Sequence, residues 1–114
     1  MLLFLRLVYL LFVLVGQFGG FVKATGGNVW VEQTSAGYRN WISVSSSSDA
    51  MKYIAAVFGG YLYTSTDGGF SWVEQTSSGS RIWHSVASSS DGMKYIAAAT
   101  AALGGYIYTI KVKS

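Results

Sequence analysis

Few side chains in this 114-residue chain have the types and spacing that chemistry needs. Gly37-x-Arg39-x-Trp41 and Gly79-x-Arg81-x-Trp83 each set a guanidinium beside an indole, and Tyr38 adds a phenol to the first. Arg with adjacent aromatic rings can bind a carboxylate or stack on a sugar or side chain. Tyr38, Arg39, Trp41, Arg81 and Trp83 are therefore the candidate ligand-binding residues. The same pattern has a structural reading, in which both Trp residues belong to the core and the Arg side chains stack over them.

Catalysis has less to work with. His84 is the only His and the chain has no Cys, so no metal-ligand set is apparent. Glu32 and Glu74 each follow Trp-Val and read as solvated strand faces. Catalytic carboxylates would have to converge to roughly 5–10 Å, and nothing in their spacing brings them together. The many Ser residues fall in turn-like runs, without a Gly-x-Ser-x-Gly elbow. No catalytic residue, metal site or cofactor is expected, and the balance points away from an enzyme.

The elements that position these residues form an internal repeat. Trp30-Val31-Glu32-Gln33-Thr34-Ser35 recurs at Trp72 to Ser77. Asp49-x-Met51-Lys52-Tyr53-Ile54-Ala55-Ala56 recurs at the same offset, at Asp91 to Ala98. Gly59-Gly60-Tyr61-Leu62-Tyr63-Thr64 recurs at a longer offset, at Gly104 to Thr109, so the second repeat carries three extra residues near Thr100 to Leu103. His84 takes the place of Ile42, an apolar position, which reads as a tolerated core or interface residue. Runs rich in aromatic and β-branched residues, separated by Ser, Asp and Gly, predict strands over residues 29–33, 41–45, 53–57, 61–65, 71–75, 83–88, 95–99 and 106–110. The period, from Trp30 to Trp72, lies in the range of four-stranded propeller blades, about 40–45 residues. The fold class expected is all-β: antiparallel four-stranded blades, about two of them, following an N-terminal hydrophobic helix.

Residues 1–15 are apolar apart from Arg6, and Val22-Lys23-Ala24 is a passable small-residue cleavage site. Residues 1–24 thus read as a signal peptide, or else a signal anchor, because a spanning helix needs about 20 apolar residues. The expected location is secreted or extracytoplasmic, with anchoring by this segment as the alternative. The repeats occupy residues 25–114, as 30–71 and 72–114. They carry six basic and five acidic residues, a net charge of +1, which gives no basis for nucleic-acid binding.

Between the repeats runs Ser65-Thr66-Asp67-Gly68-Gly69-Phe70-Ser71-Trp72. Asp67 can accept backbone N–H groups in an Asx-type turn, and the glycines allow positive φ. Ser65, Asp67, Gly69 and Trp72 match Ser-x-Asp-x-Gly-x-x-Trp and resemble the Asp-box, the bacterial neuraminidase repeat. The resemblance covers Trp30 to Thr109 and extends to sialidase-like and photosystem II assembly-factor-like propellers. It implies that the Asp-box joins the outer two strands of a blade, as a fold element. It also implies that ligands meet the opposite face, where residues 34–40, 58–60, 76–82 and 99–105 gather. A sialidase needs three Arg on one carboxylate, whereas Arg39 and Arg81 are the only ones beyond Arg6.

The expected function is non-catalytic binding of a glycan or an extracellular protein. The alternative is a fragment of a glycoside hydrolase propeller or of an assembly-factor-like protein. Two blades cannot close a ring, so a homo-oligomer or the blades of a longer parent protein are expected, with residues 29–33 able to complete a neighbour's unfinished blade by strand exchange.

Overall fold

The computed structural model describes residues 22–25 and 27–113. The expected N-terminal helix, and the signal segment but for its last three residues, lie outside the described residues. The chain divides into two compact units, residues 1–37 and 38–114. In the first, strands β1 (Val22–Thr25) and β2 (Asn28–Val31) pair antiparallel from Val22↔Val31 to Thr25↔Asn28. Val22, Lys23 and Ala24, read from sequence as the end of the signal segment, thus lie in a strand. A 3₁₀ turn follows at Thr34–Ala36. The expected strand over residues 29–33 ends at Val31, where its ladder partners end.

The second unit holds one antiparallel sheet. Its strands are β3 (Trp41–Ser46), β4 (Tyr53–Gly60), β5 (Leu62–Ser65), β6 (Val73–Gln75), β7 (Arg81–Ser88), β8 (Lys94–Ala101) and β9 (Gly104–Lys111). The order is β6-β5-β4-β7-β8-β9, with β3 also on β4. It consists of two meanders in chain order, β3-β4-β5-β6 and β7-β8-β9. The fold class is therefore all-β and antiparallel. Among the described residues no helix is long and apolar enough to cross a membrane.

Two strands run further than the sequence suggests. Gly59-Gly60 reads as a hairpin turn, and Gly59 does take φ +72°. Yet β4 continues to Gly60, because Phe58 pairs with Ile82 and Gly60 with Arg81 of β7. This short bridge joins the meanders. The extra residues near Thr100 do not loop out either. They lengthen the β8–β9 ladder to Ala101↔Gly104.

The apolar core draws Ile54, Ala56 and Leu62 from the first meander and Trp83, Val86, Tyr95, Ala97 and Ala99 from the second. Trp83, Ile54 and Leu62 are completely buried, and burying each such side chain stabilises by roughly 1.5–3 kcal/mol. Hydrogen bonds complete the junction. The Val86 N–H donates to Ser43 Oγ at 3.2 Å and the Ser88 N–H to Ser45 Oγ at 3.0 Å. The Ser48 N–H donates to the Ser90 carbonyl at 2.8 Å, and Lys52 Nζ to the Asp91 carbonyl at 3.1 Å.

The loops after β3 and β7 use the same bonds at equivalent positions of the repeat. Ser47 Oγ and the Met51 N–H donate to Asp49 Oδ1 at 2.6 and 3.1 Å. Ser89 Oγ and the Met93 N–H donate to Asp91 Oδ1 at 2.6 and 2.9 Å. The turn needs one residue with positive φ. It is Gly92 in the second loop, at φ +68°, and Ala50 in the first, at φ +58°. Gly92 also lies against the first loop, where a Cβ would come 2.7 Å from Lys52 Cδ and 3.1 Å from Ser47 Cβ. Opposite effects follow from one turn geometry. Ala50→Gly removes a left-handed penalty of about 1–2 kcal/mol but loosens the unfolded chain, so thermal melts should show a gain of about 0.5 kcal/mol. Gly92→Ala adds that penalty and a clash, and should cost about 2 kcal/mol or more.

Candidate functional site

The sequence places its five candidates near the start of β3 and β7, and the structure builds the same assembly twice there. The Arg39 guanidinium lies 4.7 Å from the centre of the Tyr63 ring, and Trp41 meets that ring edge-on at 5.2 Å. Arg81 lies 4.6 Å from the centre of the Tyr108 ring, and Trp83 meets it edge-on at 5.3 Å. Arg81 Nε also donates to the Ser78 carbonyl at 3.0 Å. Both Arg residues therefore stack on Tyr, and neither stack is to the Trp that follows in sequence. The Tyr63 hydroxyl donates to Glu74 Oε2 at 2.6 Å, and burial together with that bond raises its pKa. The signal was available, since Tyr63 and Tyr108 hold the same place in the repeated Gly-Gly-Tyr-x-Tyr-Thr.

Exposure separates the candidates. Trp83 is fully buried, and its Nε1 is a buried donor with no partner among the described residues. Trp41 is half-buried, Arg39 and Arg81 are exposed, and the Tyr38 side chain is entirely exposed. Around the bridge between the meanders, Phe58 and Ile82 are exposed and paired across the ladder. The Phe58 ring stands edge-on to His84, 6.3 Å away. Its backbone N–H donates to the Asn40 carbonyl at 2.9 Å, which brings the segment following Tyr38 alongside. His84 sits in a β-bulge between Trp83 and Ser85, exposed, with Nε2 3.0 Å from Thr100 Oγ1. The equivalent bulge on β3 lies between Trp41 and Ser43. Its equivalence to Ile42 reads position 84 as a core or interface residue, and in the structure both positions are exposed. Phe58, Ile82 and His84 thus form an apolar and aromatic surface; Phe58 and Ile82 belong to the segments expected to gather on the ligand face, but none of the three is among the five candidates.

The turn over residues 65–72 is closed by its own side chains. Ser65 Oγ donates to Asp67 Oδ1 at 2.8 Å and accepts the Gly69 N–H at 2.9 Å. The Ser71 N–H donates to Asp67 Oδ1 at 2.9 Å and the Ser71 hydroxyl to Oδ2 at 2.5 Å. Trp72 folds back so that Nε1 donates to the Gly69 carbonyl at 2.9 Å. Its ring stacks on Tyr53, with centres 6.0 Å apart.

In the second unit the carboxylates of Asp49, Asp67, Glu74 and Asp91 all accept hydrogen bonds within turns or between neighbouring strands. Among the described residues no group of three His, Cys, Asp or Glu could hold a metal ion. Comparison with protein-family models, curated proteins and solved structures gives no match to this chain.

The donated bonds, first those from Ser71, hold the Asp67 carboxyl down to about 2 from its ordinary 3.8. Asp49 and Asp91 are lowered too, chiefly by Ser47 and Ser89. A carboxylate depressed on folding contributes stability that is complete above its unfolded pKa and disappears as pH falls through the folded one. Melting temperature should therefore hold steady above about pH 5 and fall between about pH 4 and 2. Ser71→Ala should move the Asp67 titration upward toward 3.8, as followed by carboxyl NMR.

Proposed function

We propose that this chain is a non-catalytic β-propeller repeat protein, secreted or surface-exposed, that binds a glycan or a protein. The exposed cluster of Phe58, Ile82 and His84, with Tyr38 nearby in the chain, carries the reading. Large apolar side chains gathered on one exposed patch are the usual mark of an interaction surface. Aromatic faces suit both the apolar side of a sugar ring and an apolar side chain of a protein. The blade reading is supported by the four-stranded meander β3 to β6 and by loop bonds that recur from one repeat to the next. On that reading the turn at Ser65, Asp67, Gly69 and Trp72 is an Asp-box, a structural closure. The carboxylates taken up inside turns and ladders favour binding over hydrolysis.

A panel of immobilised glycans and extracellular proteins, probed with the purified chain, tests this directly. A bound member of the panel should lose about tenfold or more in affinity with Phe58→Ala, and with Tyr38→Ala, at unchanged melting temperature. Silence across the panel, or variants that bind as the parent does, would remove the basis for this binding face.

A further inference from the structure

The segment after β2 has the backbone shape of the segment that contains β6. Gln33 has φ −87° and ψ 73°, and Gln75 has φ −90° and ψ 80°. Each leads into a 3₁₀ turn, Thr34–Ala36 or Thr76–Ser78, closed by a glycine at φ +81° or +76°. The glycine N–H bonds are alike too, Gly37 to the Thr34 carbonyl at 3.0 Å and Gly79 to the Thr76 carbonyl at 3.1 Å. The stretch from Trp30 to Ser35 is identical to that from Trp72 to Ser77.

In the first meander this stretch pairs as Leu62↔Gln75, Tyr63↔Glu74 and Thr64↔Val73. Three side-chain contacts fix that register. Tyr63 donates to Glu74 at 2.6 Å, Gln75 Nε2 donates to Thr64 Oγ1 at 2.7 Å, and Trp72 stacks on Tyr53 with Trp41 6.4 Å away. In the second meander the corresponding positions are Ile107, Tyr108, Thr109, Tyr95 and Trp83. Ile107, Tyr108 and Thr109 lie on β9, the edge of the sheet. Among the described residues, the hydroxyls of Tyr108 and Thr109 make no hydrogen bond, and neither do the side chains of Glu32 and Gln33. Tyr95, Trp83, Tyr108 and Thr109 line a cavity of about 650 Å³. Trp30 is 72 % exposed.

We infer that residues 30–33 of one copy of this chain add to the β9 edge of a second copy. The strands run antiparallel in the register Ile107↔Gln33, Tyr108↔Glu32 and Thr109↔Val31. Glu32 accepts from the Tyr108 hydroxyl, Gln33 donates to Thr109, and Trp30 enters the cavity beside Tyr95 and Trp83. β2 keeps β1 on one edge, and a strand has two edges to offer. The occupant is a second copy because the segment repeats, residue for residue, the one that fills this place in the first meander. Each chain gives one strand and receives one, so the contact is heterologous: it makes a swapped pair or a ring where the rotation closes and a filament where it does not. It follows from the repeat register and holds whatever ligand the Phe58 face takes.

The absence of Cys makes the register directly measurable. Full-length Gln33→Cys and Ile107→Cys, both at exposed positions, are mixed and oxidised. Directly opposed residues lie within disulfide reach. The expected product is a disulfide-linked pair of chains, in clear excess over that from Ser35→Cys mixed with Ile107→Cys. Light scattering of the unmodified chain should give a mass of two or more chains. The mass should drop to that of one chain in Glu32→Lys, with the β spectrum retained. A single-chain mass for the unmodified protein would overturn the proposal, as would equal cross-linking from positions 33 and 35. In a double variant carrying both Gln33→Cys and Ile107→Cys, a disulfide closed within one chain would show the strand folding back on its own sheet, and would overturn it equally.

Discussion

A meander of three or four strands cannot cover its own faces, and here the junction between two of them supplies both the core and the missing hydrogen bonds. Serines on β3 carry much of it. Their hydroxyls accept the N–H groups of Val86 and Ser88, which no neighbouring β-ladder would otherwise satisfy on that side. A buried unpaired N–H costs about 1–3 kcal/mol, so each hydroxyl matters beyond the bond it makes. Burial of Trp83 against Ile54 and Leu62, the Phe58 bridge and the close seat of Gly92 all depend on that approach.

Small side chains make the approach feasible. Ala55 and Ala56 on β4, and Ala97 and Ala99 on β8, keep the strands thin where the two meanders converge. Larger aromatic residues then fill the outer part. The Arg–Tyr–Trp assembly occurs once in each meander, giving each a rigid margin of cation and ring contacts. None of this margin requires a ligand. The exposed surface around Phe58 is different in kind, since no second partner within the described chain accounts for it.

Much of the fold is legible as a period. The recurrence from Trp30 to Trp72, with Ser-Asp turns and paired glycines between, locates the strands of both meanders closely. What stays hidden involves partners from another repeat or departures from strand alternation. Gly59-Gly60 does turn the chain from β4 into β5, but the pairing of Phe58 with Ile82 and of Gly60 with Arg81 involves the next repeat and leaves no local trace. His84 reads as a core or interface residue because it takes the place of apolar Ile42, yet both positions lie exposed at equivalent bulges. Arg39 and Arg81 do lie among aromatic residues, as their spacing suggests, but the rings belong to Tyr63 and Tyr108, strands away in sequence.

The Asp67 turn has a kinetic meaning as well as a structural one. Segments 30–35 and 72–77 are identical, so the edge of β5 cannot tell them apart by side-chain contacts. Only the tether distinguishes them. A short connection of this length gives β6 an effective concentration on the order of millimolar at its own edge, far above that of a free competitor. By stiffening the connection, the Asp67 and Ser71 bonds raise that advantage further. The tether thereby favours pairing of β6 with β5 over pairing by the duplicate segment.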